Sequence, residues 1–145
     1  MRRFLTFTTA LLVALAGTVA VAQQVTTPEA LDAAMKKIGA AQGATAKAIK
    51  SDAFADARTQ VAIVKQALGD VQGFWAANKK DDAVQMAKDA IAKITALEAA
   101  LSAATPNQEA AFAAFKEAGG TCAACHKAYR VQNEDKTYSL RPGAI

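Results

Sequence analysis

From Thr27 to Tyr129 the apolar residues recur at steps of three and four, and the pattern breaks only at short polar connections. That spacing places them on one face of a helix, and no alternating strand pattern competes with it. The first segment begins at Thr27-Pro28-Glu29, a capping residue, a proline suited to the first helical position and an acid in the first turn. It continues through Leu31, Met35, Ile38, Thr45 and Ile49, and breaks at Ser51 or Asp52. The second carries Phe54, Arg58, Val61, Val64, Leu68, Val71 and Trp75, and ends at Asn78-Lys79-Lys80, where cations suit a helix C-terminus. The third opens on Asp81-Asp82 and runs through Val84, Ala87, Ile91, Ile94, Leu97 and Leu101. The fourth opens on Thr105-Pro106-Asn107-Gln108, which fits a capping box begun by Thr105, and holds Ala111, Phe112, Phe115, Cys122, His126 and Tyr129. Four helices with short connections predict an all-α, antiparallel up-down-up-down four-helix bundle. Its core is expected to be largely Ala, Val, Ile and Leu.

Met1-Arg2-Arg3, the apolar run Phe4 to Val21 and the small-x-small site Ala20-Val21-Ala22 have the order of a secretory signal peptide. The expectation is cleavage after Ala22, export to the periplasm and no stable membrane anchor afterwards. Residues 23–130 then form one helical domain, and 131–145 a polar tail, irregular or partly ordered against the bundle. The net charge is +4, with lysines scattered among acids along the helices, so no nucleic-acid partner is expected.

Both cysteines and the single histidine stand together as Cys122-Ala123-Ala124-Cys125-His126. Three chemistries use such residues. A structural zinc site needs a fourth ligand from a carboxylate or another chain. A thioredoxin-like dithiol belongs beside a βαβ pattern, which is not visible here. Attachment of a c-type haem uses Cys-x-x-Cys-His itself, with the cysteine sulfurs bonded to the ring and the histidine on the iron. The histidine directly after the second cysteine, in an exported chain, favours haem. Helical geometry puts Cys122, Cys125 and His126 on one face, with Gly119 near it. Gly119-Gly120 has two readings, a local break in the helix or a place where the lack of a side chain lets a flat ring approach, and the second is favoured for Gly119. Arg130, four residues after His126, has two readings: contact with the proximal side or a carboxylate of the ring, or a cation at the helix end. For Tyr129, packing is the simpler role. No nucleophile–base set or pair of acids indicates a substrate-converting enzyme.

A four-helix bundle with this motif at its C-terminal end, here Cys122 to Arg130 with Gly119 before it, resembles the class II cytochromes c, the cytochrome c′ and cytochrome c-556 family. The resemblance spans the chain from the first helix to about Arg130. It implies one covalent haem c, His126 as proximal iron ligand, redox proteins as partners, and pairing of two copies through the first two helices as an open matter. In the c-556 type a methionine of the first helix is the distal ligand, and Leu31-Asp32-Ala33-Ala34-Met35 looks like that version, with Met35 as ligand. The family often has an arginine where Leu31 stands. A six-coordinate electron carrier is the implied function, and a five-coordinate c′-like binder of nitric oxide or carbon monoxide is the alternative. Met86, early in the third helix, is a second methionine at the same end of the bundle. For either methionine, core filling is the ordinary role.

Overall fold

A computed structural model of the chain describes residues 25–145; the expected signal peptide, residues 1–22, lies outside them. Four helices, α1 (Pro28–Lys50), α2 (Phe54–Ala77), α3 (Asp81–Leu101) and α4 (Gln108–Tyr129), make up most of the described chain. A two-stranded antiparallel hairpin follows, β1 (Arg130–Gln132) paired with β2 (Tyr138–Leu140). None of these helices is long and apolar enough to cross a membrane.

The helix starts follow local chemistry, with one correction. Thr27 caps α1, its hydroxyl accepting from the Ala30 N–H at 3.2 Å, and Pro28 begins the helix. At α4 the cap is Asn107, not Thr105: the Asn107 side-chain oxygen accepts from the Ala110 N–H at 3.0 Å. Gln108 therefore does not fold back in a capping box. Its amide donates across to the carbonyls of Ile49 and Lys50 at the end of α1, at 3.0 and 3.1 Å. That bond satisfies acceptors the end of α1 would otherwise leave unpaired, and it displaces the cap by two residues. α4 runs unbroken through Gly119 and Gly120, although each glycine costs a helix about 1 kcal/mol relative to alanine.

Consecutive helices pack against one another, whereas α1 and α4 meet only sparsely. The core holds Ile49, Val61, Val64, Phe74, Trp75, Ile94, Leu97 and Leu101, with buried alanines such as Ala57, Ala83 and Ala90 between them. Arg58 lies off the buried stripe, and its guanidinium donates to the Leu101 carbonyl at the end of α3. Thr45, the one buried polar residue among the described residues, donates its hydroxyl to the Ala41 carbonyl at 2.8 Å.

The tail is more ordered than its composition suggests. Its turn is held by the Lys136 N–H donating to the Asn133 carbonyl and by Asp135 accepting from Thr137. Leu140 packs on the core and Ala144 is buried. Three-residue strands are too short to show an alternating pattern in sequence.

Candidate functional site

Where α1 and α4 stand apart, all four helices and the hairpin line a half-open cavity of about 840 Å³. That size is typical of a small-molecule site. The stripe that α1 turns toward it is Leu31, Met35, Ile38 and Gln42, at successive steps of four, three and four. α2 contributes Leu68, Val71 and Trp75, and α3 contributes Met86, Ala87 and Ala90. From α4 come Thr121, Cys122, Cys125, His126 and Tyr129. The inner face of α4 is thin in protein packing: only Ala111 and Ala118 are buried, and Cys122, Cys125 and His126 are half-buried.

The cysteines are free thiols. Burial pushes the Cys125 thiol above its usual pKa, and the nearby Cys122 and Asp82 charges act in the same direction. Burial first, and the Arg130 charge second, hold the His126 imidazole below its usual pKa. His126 is thus neutral at physiological pH, the form in which imidazole binds a metal. Cys122 has a partner across the cavity: the Gln42 amide donates to its Sγ at 3.6 Å. Among the described residues no three His, Cys, Asp or Glu side chains converge as the ligands of a metal ion would.

The structure brings Cys122, Cys125, His126, Met35 and Arg130 to one cavity, and Met86 with them. Gly119 is exposed and does not line it, although a side chain there would meet nothing within 4 Å. Arg130 is the first residue of β1, and not the last of α4. Its guanidinium lies 3.9 Å over the Tyr138 ring, while the carbonyls at the end of α4 receive Arg141 instead. Trp75, in the cavity wall, packs 4.6 Å from the Tyr129 ring, and its indole N–H has no acceptor among the described residues.

These features fit a flat, largely apolar group joined to α4. The fitting observations are a cavity bounded by apolar side chains, two thiols at helical spacing, a neutral imidazole beside them and a thioether on the facing helix. Gln42 and the hairpin escaped the sequence reading. For Gln42 a signal existed, a polar residue continuing an apolar helical stripe; for the hairpin none did. Comparison with family models, with curated proteins and with solved structures gives no match.

Proposed function

We propose that this chain is an exported monohaem c-type cytochrome of class II kind, carrying single electrons in the periplasm. One observation carries the reading: Cys122, Cys125 and His126 on α4 and Met35 on α1 share one cavity. Cys122 and Cys125 would hold the edge of a haem c through thioether bonds, with His126 as proximal and Met35 as distal ligand. When bound, that group supplies a reversible one-electron iron couple.

The remaining roles belong to the chain. Leu31, Ile38, Leu68 and Val71, which line the cavity, would exclude water from the bound group. The neutral state of His126 leaves a lone pair for iron without a proton to displace. Met35 is favoured over Met86 by position: α1 stands across the cavity from α4, whereas Met86 is on α3, which packs directly against α4. An antiparallel up-down-up-down course is part of the proposal. It is supported by Gln108 at the start of α4 reaching the end of α1, Arg58 near the start of α2 reaching the end of α3, and Tyr129 at the end of α4 reaching Asp82 at the start of α3.

The test is attachment. Protein produced with a haem-attachment system is expected to keep its visible absorbance after acid–acetone extraction. Mass spectrometry should place the added mass on the peptide bearing Cys122 and Cys125, and Cys122→Ala and Cys125→Ala should each reduce the yield. Complete extraction of the colour, or unmodified peptide alone, would falsify the proposal.

A further inference from the structure

The hairpin has no part in the ligand set above, yet Lys136 to Leu140 form one wall of the cavity. This wall is fixed in place. Arg141 donates through its guanidinium to the carbonyls of Ala128 and Lys127, at 3.2 and 3.1 Å, and through its backbone N–H to that of Tyr129 at 2.8 Å. Those are carbonyls that a helix end leaves without partners. The hairpin is therefore bolted to the helix that carries the cysteines.

The charges around the cavity are unequally placed. On the α1 side stand Glu29, Asp32 and Lys36, and Lys36 is already paired with Asp32 at 2.7 Å. On the hairpin side stand Arg130 and Lys136, and neither forms an ion pair among the described residues. The Arg130 guanidinium is stacked on Tyr138. The hydroxyls of Thr137 and Ser139 are used within the turn. The Tyr138 hydroxyl has no hydrogen-bond partner among the described residues, and Tyr138 is 47% exposed at the cavity wall.

We infer that the hairpin is a binding arm for an ionised carboxylate at the edge of the cavity's occupant, with the Lys136 ammonium as cation and the Tyr138 hydroxyl as second donor. An anion is repelled by the α1 side and met by two unpaired cations on the other, and donors to carboxylates are stronger when charged. Arg130 acts through Tyr138, holding the ring at the wall. The inference rests on the haem reading, in which the carboxylate is a propionate of the ring.

Zero-length coupling of the holoprotein with a water-soluble carbodiimide tests it. The reagent activates a carboxylate, and an amine lying against that group forms an amide with loss of one water. After proteolysis, the peptide bearing Cys122, Cys125 and the ring is expected to be joined through a ring carboxylate to the peptide bearing Lys136. Lys136→Gln should abolish that link while the ring stays attached, and Tyr138→Phe should lower its yield. Links to Lys36 or Lys127 in place of Lys136, or ring carboxylates without any link, overturn the inference and leave the haem reading standing. A peptide with no ring on Cys122 and Cys125 overturns both.

Discussion

At His126 burial and the Arg130 charge act together, each disfavouring a proton on the imidazole. The same burial favours the protonated form of the Cys125 thiol. Soft neutral thioether sulfur suits ferrous iron, so on the haem reading Met35 is the residue that separates electron carrier from gas binder. The ferrous holoprotein is expected to be low-spin and six-coordinate, and to bind carbon monoxide slowly. Met35→Ala should turn it high-spin and speed carbon monoxide binding at least tenfold, corresponding to about 1.4 kcal/mol of barrier; Met86→Ala should do neither. A high-spin ferrous wild type, unchanged by Met35→Ala, points to the gas-binding alternative. A response to Met86→Ala alone moves the ligand to α3 and keeps the carrier. At this scale the sequence was informative where chemistry is rare. Two cysteines and one histidine in five residues cannot be hidden in an alanine-rich chain, whereas Gln42 is an ordinary helical residue until its bond to Cys122 is seen.

Among the elements, the four helices were legible because a period near 3.6 is imposed by burial along the whole length of each. Their ends were less so. Thr105 and Asn107 are both capable caps, and the choice depends on Gln108 reaching α1, a contact that local sequence does not encode. The hairpin, likewise, owes its place to Leu140 on the core and Arg141 on α4. The contact joining the start of α3 to the end of α4 is the Tyr129 hydroxyl donating to the Asp82 carboxylate. It pushes the Tyr129 phenol up to about 12, with the hydrogen bond as the largest cause, followed by desolvation and by the charges of Asp82 and Cys125. It also holds the Asp82 carboxyl below its ordinary value. A raised phenol pKa stabilises the fold fully below the unfolded value of about 10, and the contribution disappears as pH rises through the folded value. On the acid side, the Asp82 contribution is present above the ordinary carboxylate pKa and is lost as pH falls through the lowered one. Both groups face solvent, so the effect on stability is small. Carbon NMR of ring-labelled tyrosine is expected to place the Tyr129 midpoint near 12, and Asp82→Asn should return it toward about 10. An unchanged midpoint in Asp82→Asn would remove this bond from the account of how α3 and α4 are joined.

For the whole molecule, packing is uneven. α2 and α3 supply most of the large buried side chains, including Phe74, Trp75, Ile94 and Leu97, while α4 buries only Ala111 and Ala118. The ion pairs between helices, Lys65 with Glu98 and Lys93 with Glu117, are at the surface and add little to stability. Small alanines let helices approach but remove little apolar area from water, roughly 25 cal/mol for each Å². The fourth helix is thus held to α3 and, through Gln108, to the end of α1, and across the cavity it has few protein neighbours. On the haem reading, the ring is what joins α1 to α4: it stays on α4 when the chain unfolds, and only the native state gives it the apolar cavity and the facing Met35. Burial of even about 120 Å² of apolar ring surface adds about 3 kcal/mol at roughly 25 cal/mol for each Å², which for a chain of this size corresponds to roughly 10 °C or more in unfolding temperature. Protein produced without the attachment system is expected to keep most of its far-ultraviolet helical signal, since the four helices are locally encoded. Its near-ultraviolet signal from Trp75 should weaken, its unfolding should broaden, and it should bind a hydrophobic dye, as states with helices but loose packing do. The comparison is with holoprotein in the same buffer, followed by circular dichroism on heating. A haem-free chain that unfolds as sharply and at the same temperature as the holoprotein would mean that α4 is held by protein contacts alone, and that the cavity is not where the fold acquires its stability.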